Sequence, residues 1–328
     1  MKTVWSRLAL PVVGLAIVGA AHAQPASNYP TRPVRMIVPF QPGGASDVVG
    51  RIIAPKLGEA LGQQIVIDNR TGASGNIGVE VAANASPDGY TFLLGNSGTM
   101  AINPSIFPKF PVRPVRDLIA VTQVVDVPGA LVAHPSVPSN SVKEFIAYVK
   151  ARPGKLNYGS SGAGSPQRLA MEYFMREAGI SMVHIPYKGG AGGAALAVLA
   201  GEVSSVMTSV SSVLPHVKAG KLKAFGVVAS RRLSVLPDTP TMAESGFPKM
   251  TAGAWQGVYF PKSTPRAVTD KFFVAVQKVM VDSDVIRRLT DQGADVVVSR
   301  SPEEFTRFMK SENDLYEKLV KQIGVVGE

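Results

Sequence analysis

The chain has 328 residues, no cysteine, 18% charged side chains and a formal charge of +10 at pH 7. The lack of cysteine removes disulfides, thiolate nucleophiles, cysteine zinc sites and a lipid-modified N-terminal cysteine, so stability rests on packed cores, and the length suffices for one or two of them. The positive balance favours anionic ligands, but the basic residues are scattered in nothing longer than pairs such as Arg231-Arg232 and Arg287-Arg288, which argues against a nucleic-acid-binding stripe.

The chain opens with the cations Lys2 and Arg7, an apolar stretch over residues 8–21 and the small-residue sequence Ala21-His22-Ala23. This is the pattern of a secretory signal peptide over residues 1–23, cleaved after Ala23, and its apolar run is shorter than the ~20 residues of a spanning helix. Cleavage leaves 32 basic against 24 acidic side chains, a charge of +8, on a protein expected free in the periplasm.

From residue 34 onward, short apolar β-branched runs alternate with helical patterns, which predicts an α/β protein with parallel sheet. Strands are expected at 34–40, 65–68, 91–94, 131–133, 156–158, 183–186, 205–207 and 224–228, and helices at 48–61, 79–83, 142–151, 168–178, 194–200, 268–281 and 302–322. Pro55 should kink or shorten the first helix. Four prolines between residues 104 and 114 predict an extended surface connection. So much α/β material exceeds one compact sheet, so two lobes are expected. Crossings at 120–126 and 225–230 divide the chain into a first domain of 24–125 with 226–328 and a second of 126–225.

The strand-to-helix junctions carry the chemistry. In Phe40-Gln-Pro-Gly-Gly-Ala45-Ser-Asp47, Gly43 and Gly44 allow close backbone approach, and Ser46 or Asp47 is a candidate cap. The amides and positive dipole of such a helix start form an anion site, though an ordinary capped turn has the same letters. The logic repeats at Asn96-Ser97-Gly98-Thr99, at Ser160-Ser161-Gly162 with Ser165 as N-cap and Pro166 in the first helical position, and at Tyr187-Lys188-Gly189 before an Ala-rich helix. Four such junctions together predict a cleft lined by backbone donors and small hydroxyls.

Other chemistries lack their parts. Gly154-Lys155 and Gly220-Lys221 are followed by Leu rather than the Ser or Thr of a phosphate-binding loop, and Gly190-Ala-Gly192 lacks the acidic partner of a dinucleotide site. His134, His184 and His216 have no metal-ligand spacing, and no nucleophile elbow is present. His184, in an apolar strand, reads as a core histidine. Trp255 either faces the cleft or fills the core, and Lys188 is either an assisting cation or a solvated side chain.

In order along the chain, Tyr29-Pro-Thr-Arg-Pro-Val-Arg-Met-Ile-Val-Pro-Phe40, Pro42-Gly-Gly44, Gly75-Asn-Ile-Gly78, Pro87-Asp-Gly-Tyr-Thr91, Val183-His-Ile-Pro-Tyr-Lys-Gly189 and Pro240-Thr-Met-Ala-Glu-Ser-Gly246 resemble the substrate-binding proteins of tripartite tricarboxylate transporters, the Bug family. The resemblance spans nearly all of the mature chain. It implies a two-lobed periplasmic binding protein, a Venus flytrap of type II-like form with two crossing hinge strands, that holds a small organic carboxylate on loop amides and hands it to the membrane subunits of its transporter. No enzymatic activity, cofactor, metal or nucleic acid is implied, and a monomer is expected.

The ligand-binding set it implies is Gly43 to Asp47 with Phe40, Asn96 to Thr99, Ser160 to Gly162, Ser165, Gln167, Tyr187 to Gly189, and Thr208. Two features depart from the pattern. Gln167 stands where members often have His, and residues 204–212 contain none of the acid that meets an ammonium group in some amino-acid-binding members. A dicarboxylate or aromatic acid is therefore expected rather than an amino acid. The alternatives are a periplasmic sensor or signalling adaptor using the same cleft, and a serine hydrolase using Ser160 or Ser165.

Overall fold

The computed structural model describes residues 28–107, 109–162, 165–187, 190–229, 231–250 and 253–324. The signal peptide, Lys188 and Gly189 lie outside the described residues.

The first sheet starts from β1 (Val34–Val38), whose apolar residues are buried while Arg35 stays partly exposed. It is followed by α1 (Ala45–Leu61), β2 (Ile65–Asn69), α2 (Asn76–Ala83) and β3 (Thr91–Asn96). β1 pairs in parallel with both β2 and β3, so each return passes through a helix. α1 runs unbroken through Pro55, because the carbonyl that Pro55 leaves unpaired belongs to Arg51 and both residues lie on the exposed face.

After β3 the chain makes a π-helical turn (Gly98–Ile102), α3 (Asn103–Ile106) and α4 (Pro114–Asp117). The proline-rich stretch thus carries two single-turn helices that begin at or beside a proline, where the missing N–H costs nothing.

β4 (Leu118–Val127) belongs to the first sheet and β5 (Gly129–Ala133) to the second, with only Pro128 between them. The second lobe continues with α5 (Val142–Lys150), β6 (Asn157–Ser160), α6 (Pro166–Ala178), β7 (Val183–Pro186), α7 (Gly190–Leu199), β8 (Ser205–Ser209), α8 (Val210–Lys218) and β9 (Lys223–Val228). The return to the first lobe brings β10 (Ala254–Pro261), α9 (Arg266–Met280), α10 (Ser283–Asp291), β11 (Asp295–Val296) and α11 (Pro302–Ile323). The sheets run β11-β4-β10-β3-β1-β2 and β7-β6-β8-β5-β9.

Each sheet is covered on both faces. In the first lobe α1, α9 and α10 close one core with Phe92, Phe260 and Phe272, while Trp255, Tyr259 and Phe305 fill the other with α2 and α11. In the second, α5 and α6 cover Tyr158, Phe145 and Phe174 on one side, and α7 and α8 cover Val206, Val213 and Val227 on the other.

The second crossing is not at 225–230. β9 is the edge of the second sheet, and the following segment stays with it: Val227 N–H donates to Pro240 O (2.9 Å), Met242 N–H donates to Val227 O (2.8 Å), and Met250 is in the second lobe's core. The described residues among 226–250 therefore pack with the second lobe, and the first sheet resumes at β10. An apolar buried strand is legible in sequence, but its letters do not say which sheet it joins.

Candidate functional site

The loops after β1, β3, β6 and β8 all lie at the C-terminal ends of parallel strands, where open α/β sheets place ligands. Between the lobes they enclose a cavity of about 380 Å³.

Phe40, Gly44, Ala45 and Ser46 line it from the first lobe. Gly43 turns the chain with φ +83°. Gly44 is the N-cap of α1 and no side chain caps that helix, so neither Ser46 nor Asp47 takes the expected capping role. Asp47 stands behind the lining instead. Its carboxylate accepts from Gly43 N–H (3.0 Å), Asn69 Nδ2 (3.1 Å) and Arg51 Nε (2.8 Å). Burial works against the charge, but these hydrogen bonds outweigh it and hold the carboxyl below its ordinary range. Asp47 therefore braces the glycine loop and leaves the first-turn amides of α1 without a side-chain partner.

Asn96 and Ser97 also line the cavity, while Thr99 is spent on the loop itself: Thr99 N–H donates to Asn96 Oδ1 (3.0 Å) and Asn96 N–H donates to Thr99 Oγ1 (3.1 Å). Gly98 is a point of contact between lobes, since a Cβ there would lie 2.7 Å from Pro166 Cδ.

From the second lobe come Ser161, Ser165, Gln167 and Thr208. Ser165 caps α6, accepting from Arg168 N–H (3.2 Å), and Pro166 takes the first helical position as expected. Ser161 Oγ donates to Gln167 Oε1 (2.8 Å). Ser160 and Gly162 stand outside the lining. Ser160 is fully buried, accepts from Gly162 N–H (3.0 Å) and lies 2.6 Å from His184 Nε2. Burial, helped by the nearby Arg168, pushes that imidazole down to about 4, so it is neutral. Tyr187 is also absent from the lining, its hydroxyl donating to Glu202 Oε2 (3.1 Å).

Several lining residues carried no expectation. Ser74 stands in the left-handed region at φ 55° beside the Gly75-Asn76 turn, Ser209 is the N-cap of α8, and Gln256 is a buried amide within the apolar strand β10. Gln256 carried no readable signal, because β10 is not among the strands the sequence predicts. Trp255 next to it fills the core, its Nε1 donating to Glu312 Oε2 (2.7 Å). Leu315, Tyr316, Leu319 and Gln322 of α11 complete the wall, which sequence did not indicate.

Three buried polar atoms of this wall, Ser97 Oγ, Thr208 Oγ1 and Gln256 Oε1, have no hydrogen-bond partner among the described residues. They come from the first lobe, the second lobe and a crossing strand. Beside them converge the starts of α1, α6 and α8, each a cluster of amides at the positive end of a dipole. Lys249 is the charged side chain of the described lining, and neither Asp nor Glu is part of it. Orphaned buried polar groups are costly unless a ligand or water meets them.

Just behind the hinge, burial, then Asp295 and Glu312, push the Asp126 carboxyl up to about 6. One of its oxygens, Oδ1, is buried without a partner among the described residues.

Residues 49–325 match the model of the tripartite tricarboxylate transporter family receptor. BugT of Bordetella pertussis is 36% identical over 318 residues, covering 96% of this chain and 97% of that protein. MatC of Rhodopseudomonas palustris, solved with bound malate, superposes with a TM-score of 0.83 at 33% identity, covering 89% of this chain and 100% of MatC. Another R. palustris protein, solved with adipate, gives a TM-score of 0.87 at 32% identity, covering 91% and 99%.

Proposed function

The chain belongs to the tripartite tricarboxylate transporter family receptors, and we propose that it captures a small organic carboxylate without an amino group between its lobes and delivers it to the membrane subunits of such a transporter. The observation that carries this reading is the pairing of three convergent helix starts with orphaned hydroxyls from opposing lobes, around a cavity whose described wall has no carboxylate. Amides and hydroxyls stabilise an anion, whereas an ammonium group buried there would meet no counter-charge. The malate and adipate seen in the relatives support the same ligand class.

Capture proceeds by closure. One carboxylate oxygen pair docks on the α1 start, and bending at Pro128 brings Thr208 and the α6 and α8 starts onto the ligand. Excluding water strengthens those hydrogen bonds, and the absence of a buried ion pair keeps the ligand releasable. The chain acts in the periplasm as a monomer, with mature protein beginning at Gln24, which N-terminal sequencing checks. No helix among the described residues is long and apolar enough to cross a membrane.

A thermal-shift screen followed by calorimetry tests the ligand class. A bound acid at a hundred times its dissociation constant adds about 2.7 kcal/mol of stability. Tight aspartate or glutamate binding with no response to plain dicarboxylates or aromatic acids would refute the reading. The hydrolase alternative finds no support at Ser160, which has His184 Nε2 at 2.6 Å but is fully buried and outside the lining, nor at Ser165, whose hydroxyl caps α6 and donates to Gly162 O (2.8 Å).

A further inference from the structure

The cavity is two-sided in chemistry. Its hydroxyls and amides gather where the four loops meet, but beyond Pro166 the wall becomes a cleft between α6, which contributes Leu169, Ala170 and Tyr173, and α11, which contributes Leu315, Tyr316 and Leu319. On α6 these positions follow Pro166 at spacings of three, four and seven, and on α11 Leu319 follows Leu315 at four, so each set forms one face of its helix. Leu169 closes the floor by packing with Ile102, Ile106 and Val320 across the lobe boundary. At the outer end Arg176 Nη1 donates to Gln322 O (2.8 Å), again from one lobe to the other. From the Ser165 cap to Tyr173 this arm runs about 12 Å along α6, at 1.5 Å per residue.

A hydroxylated four-carbon diacid makes no use of such a wall. The cavity volume of about 380 Å³ falls within the range of roughly 300–1,000 Å³ that encloses larger organic ligands. We infer that the α6–α11 arm is a specificity subsite for an apolar tail: the ligand is a carboxylate whose alkyl chain or aryl ring lies along α6 toward Tyr173. The inference rests on the carboxylate reading above and adds what the rest of the molecule must be. Because the two helices belong to different lobes, the tail is enclosed only when the lobes close, and its burial favours the closed form.

Calorimetric titration with the acids from butanoate to octanoate, the diacids from succinate to suberate, and phenylacetate tests the subsite. Each methylene that enters the arm should raise affinity about fourfold (about 0.8 kcal/mol) until the tail reaches the mouth at Leu315. Leu315→Ser, at a position already 53% exposed, and Leu319→Asn should flatten that slope, lowering affinity for the longest acids far more than for the shortest acid that binds. A flat series in the wild type, or variants that weaken short and long acids equally, overturns the subsite and leaves the carboxylate reading standing. A protein that binds no acid of any length overturns both.

Discussion

Asp126 gives the sharpest test of the electrostatics around the hinge. It sits on β4, opposite Trp255 of β10 and Asp295 of β11, and Glu312 lies close enough to raise its pKa. Burial and these two acids move its carboxyl from 3.8 to about 6. The folded state therefore holds this proton between about pH 4 and pH 6, where the unfolded chain has released it. A raised carboxyl destabilises once it ionises, so its contribution to stability falls as pH rises through that window. A shift of roughly two units at about 1.4 kcal/mol per unit sets an upper bound near 3 kcal/mol. Glu312, also raised by burial, acts in the same direction, and Asp47, held low, acts in the opposite one. The comparison that isolates Asp126 is therefore wild type against Asp126→Asn, which copies the protonated shape without the charge. Urea denaturation should find the variant more stable by about 1–3 kcal/mol at pH 8, with the difference shrinking toward zero near pH 4. Anionic ligands should also bind the wild type more weakly as pH rises through 6, and the variant should lose that dependence. A stability difference that stays constant from pH 4 to pH 8 would refute the reasoning.

Three further outcomes are expected. Asp47→Ala removes the acceptor for Gly43, Asn69 and Arg51 and should cost about 1–3 kcal/mol of stability by denaturation, with ligand affinity falling as the glycine loop loosens. Gly98→Val places a side chain where a Cβ already meets Pro166 at 2.7 Å, so the variant should fold but lose at least about tenfold in affinity, chiefly through a faster off-rate, and small-angle scattering should show less contraction on adding ligand. Thr208→Asp puts a carboxylate into a wall that has none among its described residues, and calorimetry should show plain acids losing at least about tenfold.

The lobes and most of their strands were legible because runs such as Val34–Val38 are mostly apolar, rich in β-branched residues and bounded by proline. The glycine and serine loops were legible for a related reason: a strand ending in Gly-Gly or Gly-Ser before a helix exposes amides whatever its surroundings. What failed depended on contacts between distant segments. Asp47 reads as a cap or a ligand group until the parallel pairing of β1 with β2 brings Asn69 onto it from 22 residues away. β10 escaped notice because Gln256 and Gly257 interrupt its apolar letters, although the strand is central and lies between β3 and β4. The apolar stripe of α11 follows from its spacing, but one end of that stripe, Phe305 and Met309, packs with Trp255 and Tyr259 while the other faces α6 across the cavity. Helical periodicity marks both ends alike.

These features bear on how a positively charged protein holds an anion without trapping it. A buried arginine or lysine would strengthen the hold, but it would carry its own desolvation cost in the open state and oppose release. Helix starts carry no full charge to desolvate, since their amides supply only the partial positive end of the dipole. On the proposed reading, discrimination falls to uncharged groups: Ser97, Thr208 and Gln256, buried and without a partner among the described residues, would disfavour any guest that leaves them unmatched. The proposed reading accordingly has selectivity set by shape and by hydrogen-bond matching, with the anion's charge setting only whether it enters.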